Sequence, residues 1–251
     1  MDQFYTRVDV ATSCVEILLK HTNGGVWIEP SAGTGSFLHL VPGAIGYDID
    51  PKSDGIVRAD FLETELSEGC VVFGNPPFGR QGSLARKFIQ HASRWAAVIG
   101  FILPLSFTKP SMQRAFPPCF HLEESWILPK TSFVNEGVPY HVPCVFQVWK
   151  RKPVDREVPV PPEPNGFAFV KQPDSHHLAF RRVGGNAGRC SLPHESHNKQ
   201  CYYFIRLDNP TTADAIVEAS LTYPFPTNTT GPRSLSKGEA IQFIHHILHR
   251  T

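Results

Sequence analysis

The chain has almost no net charge, no C-x-x-C pair, no long apolar run and no repeat, and each shortage narrows what it can be. Its 251 residues hold 24 basic and 23 acidic side chains, a formal charge of +1. No strong field of either sign therefore selects its partner. The longest apolar run, Trp95 to Leu105, is eleven residues broken by Gly100 and Pro104. A membrane-spanning helix needs about 20, so the reading is a soluble protein. The opening Met1-Asp2-Gln3-Phe4 has neither a basic region nor an apolar stretch, and no secretory signal is expected. Six scattered cysteines without a C-x-x-C pair fit the reduced thiols of an intracellular protein better than a disulfide frame. No internal repeat of about 20–50 residues is apparent.

What the chain does have is core-forming composition, 41% hydrophobic and 19% charged, which excludes wholesale disorder. Residues 1–152 carry 14 basic and 14 acidic groups. Residues 165–251 carry 9 and 6, with seven of the twelve histidines, a mild excess that permits a polyanion partner without requiring one. Between them, Pro153, Pro159, Pro161, Pro162 and Pro164 fall within twelve residues. Proline fixes φ and removes a backbone donor, so residues 153–164 are expected to form an extended linker between two domains. In the first domain, short apolar runs at Val26–Ile28, Ala44–Ile49, Cys70–Phe73 and Ala97–Leu103 alternate with helical spacing at Val10–Leu19 and Gly82–Trp95. That alternation predicts an α/β fold, a doubly wound and mostly parallel sheet with ligands beyond the strands' carboxyl ends. The second part reads as a small α+β appendage. Strands are expected at Phe167–Val170, Leu178–Val183 and Tyr202–Leu207, and helices at Thr211–Leu221 and Ser236–His249.

Three acids stand where successive strands end. Glu29 opens Glu29-Pro30-Ser31-Ala32-Gly33-Thr34-Gly35-Ser36-Phe37, a glycine turn expected to run into a helix whose N-terminus faces a ligand. Asp48, within Gly46-Tyr47-Asp48-Ile49-Asp50, is placed to accept hydrogen bonds from the two ribose hydroxyls of a nucleoside cofactor. Asp60 is placed to take an adenine amino group, with Phe61 covering the ring. One such acid alone is as readily a helix cap or a solvated loop residue; three in succession point to a ligand. The most specific signal is Asn75-Pro76-Pro77-Phe78, directly after Cys70-Val71-Val72-Phe73-Gly74. Two prolines cannot extend a central strand, so the chain must leave the sheet there as a rigid loop.

In this order, residues 2–150 resemble the class I, S-adenosylmethionine-dependent amino methyltransferases, most closely the adenine-N6 branch with an NPPF or NPPY loop. The resemblance implies a Rossmann-like methyltransferase sheet and S-adenosyl-L-methionine as cofactor. It implies that Phe4, Tyr5 and Thr6 form the N-terminal cofactor-binding segment and that Glu29, Pro30, Ser31, Ala32, Gly33 and Gly35 form the methionine-binding loop. Asp48 with Ile49 would be the ribose site, Asp60 with Phe61 the adenine site, and Asn75, Pro76, Pro77 and Phe78 the catalytic loop. Lys130-Thr131-Ser132-Phe133, ahead of the strand Val145–Trp149, resembles the late aromatic motif beside the target base, so Phe133 is expected to hold the base against Phe78. It also implies that residues 165–251 are a substrate-recognition region, under 90 residues and so short for that role. The implied substrate is adenine in DNA, flipped out of the duplex; RNA is the alternative. A protein glutamine methyltransferase is less favoured, because only about twenty-five residues precede the first apolar strand.

The residue types suit that reaction. An exocyclic amine has its lone pair delocalised into the ring; the Asn75 side-chain oxygen and the Pro76 carbonyl can each accept one amino hydrogen and free that pair. Positioning and preorganised dipoles then suffice, with no strong base. Cys190, His194, His197 and Cys201 are zinc-ligand types in a C-x3-H-x2-H-x3-C array, but four ligands within twelve residues close too tightly for the usual two-pair site, and no metal is expected. Arg80, Arg86, Lys87, Lys150–Lys152, Arg181, Arg182 and Arg189 are candidates for phosphate contacts.

Overall fold

A computed structural model describes residues 5–135, 137–160, 162–171, 174–229 and 231–249. Phe4 of the N-terminal segment and Pro161 of the proline-rich stretch lie outside the described residues. The chain divides into two units, Met1–Val158 and Pro159–Thr251. The break falls within the proline-rich stretch and later than residue 152, and Arg156 is the reason. Its Nε donates to the Phe120 carbonyl at 2.8 Å, and its Nη2 to the carbonyls of Phe116 at 2.9 Å and Gln113 at 3.2 Å. Its guanidinium lies 5.2 Å from the Trp149 ring centroid. Residues 153–158 are therefore a strap on the first unit.

In that unit the strands are Tyr5–Thr6 (β1), Trp27–Glu29 (β2), Ile45–Asp48 (β3), Ile56–Arg58 (β4), Val71–Gly74 (β5), Val98–Pro104 (β6), Phe120–Ile127 (β7), Phe133–Asn135 (β8), Val138–Tyr140 (β9) and Cys144–Arg151 (β10). The helices are Val8–Leu19 (α1), Ser83–Ala92 (α2) and the short Pro110–Gln113 (α3). Seven strands form one sheet in the order β4-β3-β2-β5-β6-β10-β7. Every pair from β4 to β6 is parallel, and only β10 runs against its neighbours β6 and β7. This is a Rossmann-like α/β sheet. A second sheet, β1-β8-β9, is antiparallel.

The period-2 alternation of the central strands decides what packs where. Val71 and Phe73 of β5, with Val98 and Ile102 of β6, face a cluster that contains Val10, Cys14 and Leu18 of α1. Val72, Ile99, Phe101 and Leu103 face the opposite cluster, which contains Ala85, Phe88 and Ile89 of α2. Both faces are covered, so β6 is buried along its whole length. Gly100 sets how closely α1 can approach: a Cβ there would lie 2.9 Å from both methyl carbons of Leu18. On the other face, the chain end of α2 is held by Arg151, whose side chain donates to the carbonyls of Ala96 and Ser93 and whose guanidinium lies over Phe120. Carbonyls at a helix end need such donors because no helical amide reaches them.

The second unit has its own core. Phe167–Val170 (β11), Leu178–Arg181 (β12), Cys190–Ser191 (β13) and Tyr202–Leu207 (β14) form an antiparallel sheet in the order β11-β14-β12-β13, with helices Ala213–Ser220 (α4) and Lys237–Leu248 (α5). Phe180, Ile205, Ile216, Phe243 and Ile244 are buried together. Ser236 caps α5, accepting from the Glu239 amide at 3.2 Å while Glu239 accepts from the Ser236 amide at 2.7 Å, a reciprocal box that satisfies two end donors. No helix among the described residues is long and apolar enough to cross a membrane.

Candidate active site

The Asn75–Phe78 loop begins where β5 ends. Gly74 is the last paired residue, and the two prolines, lacking amide donors, carry the chain out of the sheet at its carboxyl edge. Asn75 is tied on two sides. Its Nδ2 donates to Thr6 Oγ1 at 3.2 Å, and its backbone carbonyl accepts from Ser31 Oγ at 3.1 Å. Pro76 is buried; Pro77 and Phe78 are half-buried. The Phe78 ring packs against both core clusters, and its carbonyl accepts from the amides of Leu84 at 3.0 Å and Ala85 at 3.2 Å. Because those are first-turn amides of α2, the same bonds that satisfy the helix start immobilise the loop.

Beside it lies the glycine loop. Gly33 and Gly35 have φ of +50° and +81°, a region that favours glycine. A Cβ on Gly33 would meet the Tyr5 ring at 3.1 Å. The helix expected after this loop is absent: Phe37, 2% exposed, pins the chain against Phe73, and only a 3-10 turn, Leu38–Leu40, follows. Fifteen residues separate β2 from β3 and the loop occupies half of them, which leaves too few for an α-helix before Pro42-Gly43. Any ligand here meets loop amides and side chains without a helix dipole behind them.

The acids differ sharply. Asp48 braces the loop, its Oδ2 accepting from the Gly33 amide and its Oδ1 from the Asp50 amide, both at 2.8 Å. Each oxygen thus keeps one lone pair for a further donor. Asp60 is exposed, and its Oδ1 caps the Phe61–Glu63 turn by accepting from the Leu62 amide at 2.9 Å. Phe61 is 1% exposed, with its ring stacked on Phe88 and edge-on to His91. It does not cover a ligand ring; the apolar side chain exposed at that edge is Ile49, at 67%. Glu29 is 2% exposed and its Oε2 has no hydrogen-bond partner among the described residues. Burial pushes its carboxyl well above the usual range, the Asp48 charge pushes the same way, and the Leu38 amide offsets only part. Pro30 and Ala32 are buried and Ser31 is half-buried beside it. A buried acid with an unpartnered oxygen next to a glycine turn fits a cationic ligand group, because such a group would supply the missing partner.

The N-terminal segment joins these pieces. In the β1–β8 ladder, Tyr5 lies opposite Val134 and Thr6 opposite Phe133, and the Arg7 amide donates to the Ser132 carbonyl at 3.0 Å. Tyr5 leans on the glycine loop, Thr6 holds Asn75, and Thr6 pairs with Phe133 of the late aromatic motif while Tyr5 pairs with the residue after it. Phe133 corrects the sequence reading: it is 1% exposed within the α1-side core, so its ring presents no face to a base. The β8–β9 hairpin that carries it is not evident from sequence, although Gly137 between two short apolar stretches is a signal for it.

No protein-family model matches the chain, and no curated protein matches it. Solved structures do. The chain is similar to Thermoplasma acidophilum 1320 (19% identity, 61% of this chain and 92% of that one, TM-score 0.47). It is similar to the 23S rRNA methyltransferase ErmE (16%, 61% and 71%, 0.46), and to the M protein of the type I restriction enzyme EcoKI (17%, 61% and 45%, 0.46). The strand order of this chain itself defines its fold.

Of the basic candidates, several are engaged internally, Arg181 among them, donating to the Val183 carbonyl and to the Tyr202 hydroxyl, both at 3.3 Å. Arg151 serves α2 as described, and Lys152 pairs with Glu123 at 2.7 Å. Arg80, Arg86 and Lys87, just past the Asn75–Phe78 loop, are exposed. In the second unit Arg181 and Arg182 lie over Tyr202 and Tyr203 at 5.7 and 4.9 Å, and Arg189 is exposed. Among the described residues no three His, Cys, Asp or Glu side chains are grouped to hold a metal ion. Burial pushes the Cys190 thiol up to about 12, with a hydrogen bond to Ser220 offsetting only part, and His197 Nε2 lies 3.1 Å from Ser191 Oγ.

Proposed function

We propose that this chain is an S-adenosylmethionine-dependent methyltransferase acting on the exocyclic N6 amine of adenine in nucleic acid, DNA first and RNA second. One observation carries the reading. The rigid Asn-Pro-Pro-Phe loop leaves the sheet beside the glycine loop and is tied to it by Ser31, with Asn75 held in orientation by Thr6.

The cofactor, when bound, supplies a sulfonium-activated methyl that accepts an amine lone pair as its bond to sulfur breaks. Glu29 and the Gly33–Gly35 turn would hold its methionyl end, Asp48 its ribose, and Asp60 with Ile49 its adenine. Thr6 fixes the Asn75 amide through Nδ2, which turns Oδ1 to the other arm of the same plane. Asn75 Oδ1 and the Pro76 carbonyl accept the two amino hydrogens, localise the lone pair on nitrogen and pass the surplus proton to water. Phe78, immobilised by its carbonyl bonds to α2, stacks on one face of the base. Reaching a base in a duplex requires flipping it out, at a cost of a few kcal/mol.

The test offers tritiated S-adenosylmethionine with duplex DNA, single-stranded DNA, RNA and protein, followed by nucleoside analysis of the labelled product. N6-methyladenine is expected from a nucleic acid. The Asn75→Ala variant is expected to lose transfer while binding S-adenosylmethionine as the parent does; retained turnover would refute the assignment.

A further inference from the structure

The sheet gives Asp60 little support. The strand before it, β4, is a three-residue strand at the sheet's edge, and Asp60 itself is exposed. Its turn is held instead from α2, through a chain of hydrogen bonds. His91 Nε2 lies 2.8 Å from the Thr64 carbonyl, Thr64 Oγ1 donates to the Asp60 carbonyl at 2.9 Å, and Asp60 Oδ1 accepts from the Leu62 amide at 2.9 Å. A carbonyl can only accept, so Nε2 carries the imidazole proton and donates it. His91 is 8% exposed, with its ring edge-on to Phe61 at 4.9 Å, and Phe61 stacks on Phe88 at 5.2 Å. Leu84, Phe88 and His91 have the i, i+4, i+7 spacing of a single helix face. At the start of α2 the amides of Leu84 and Ala85 hold the Phe78 carbonyl. Near its end, about 10 Å along the axis, His91 holds the Thr64 carbonyl. One helix thus grips both the Asn75–Phe78 loop and the Asp60 turn.

Resting on the methyltransferase reading, we infer that His91 is a positioning residue for the cofactor: by donating to the Thr64 carbonyl it sets Asp60 where the adenine amino group arrives. It acts through Thr64 and not on the ligand, because its donor nitrogen is committed to that carbonyl and its ring is buried against Phe61. Without that bond the turn must be ordered by the ligand itself, which weakens binding. Once the site is filled, the geometry is that of the parent. The loss therefore falls on affinity for the nucleoside half of the cofactor and not on methyl transfer at saturation.

The experiment measures the affinity of S-adenosylmethionine and of 5′-methylthioadenosine, which lacks the amino-acid end, by calorimetry. It also measures kcat at saturating cofactor on the nucleic acid that the parent methylates. His91→Phe keeps a ring against Phe61 but has no donor, and should weaken both ligands by the same factor, about two- to tenfold, with kcat within about twofold of the parent. His91→Gln places an amide nitrogen at the reach of Nε2 and should bind both ligands within about twofold of the parent. Thr64→Val removes the second link and should act as His91→Phe does, which keeps the test should that variant fail to fold. A Gln variant that binds no better than the Phe variant, or a loss confined to kcat, overturns the inference. Asp60→Ala tests the underlying reading separately. If it weakens both ligands while His91→Phe and Thr64→Val do not, only the role of His91 falls; if it leaves both unchanged, or the parent binds neither ligand, the adenine site falls and the inference with it.

Discussion

Replacing Glu29 by Gln separates binding from stability in a way only a buried acid can. The carboxyl is 2% exposed, one oxygen has no hydrogen-bond partner among the described residues, and burial with the nearby Asp48 charge holds its pKa well above the ordinary 4.5. A carboxyl whose folded pKa is raised contributes stability that is fully present below the unfolded value. That contribution is lost as pH rises from 4.5 through the raised value, because the folded chain must then bury a charge. The empty protein should therefore lose thermal stability across that window, and Glu29→Gln should remove this loss and be at least as stable at pH 8. A cationic cofactor reverses the preference. Its ammonium would meet the carboxylate, so binding releases up to one proton per site at pH values below the raised pKa. A charge-assisted bond is worth about 1.5–3 kcal/mol, so the Glu29→Gln variant should bind S-adenosylmethionine about 10- to 100-fold more weakly. Calorimetry in two buffers of different ionisation enthalpy reads the proton release directly, and thermal melts at pH 5 and pH 8 read the stability. Equal affinity for parent and variant, with no buffer-dependent heat, would remove Glu29 from the cofactor site.

Gly100→Ala places a Cβ 2.9 Å from the Leu18 methyls and 3.2 Å from the Phe146 ring. Overpacking between α1 and β6 should cost about 1–3 kcal/mol, read as a lower urea midpoint with an unchanged m-value. Arg156→Ala strips donors from the carbonyls of Phe120, Phe116 and Gln113. It should destabilise the first unit by about 1.5–3 kcal/mol and open residues 153–158 to proteolysis; a melt within about 1 °C of the parent would contradict that strap.

Much of the fold is legible because buried strands announce themselves. Val98–Pro104 is apolar at nearly every position and buried on both faces, and Ser236 with Glu239 marks the start of α5 by chemistry alone. Strands that are short, polar or half-exposed are not legible. Phe120–Ile127 contains His121, Glu123, Glu124 and Ser125, and it becomes a strand through its ladder with β10, a pairing that no local pattern announces. The helix expected behind the glycine turn fails on length, since a loop pinned by Phe37 leaves only a single 3-10 turn before Pro42-Gly43.

The chain's residues alone determined the chemistry on offer: a donor-free diproline bend bearing an amide and an aromatic ring, a glycine turn, and acids at strand ends. Their meeting was decided by tertiary structure. Ser31 reaches Asn75 across 44 residues of chain because the parallel strands β2 and β5 deliver their carboxyl ends to one edge. Thr6 reaches it across 69 from β1, which its antiparallel ladder with β8 holds in place. Burial decided the rest. Phe61 and Phe133 are as aromatic as Phe78, but both are 1% exposed whereas Phe78 is half-buried, and a ring can hold a ligand only on a face that packing leaves open.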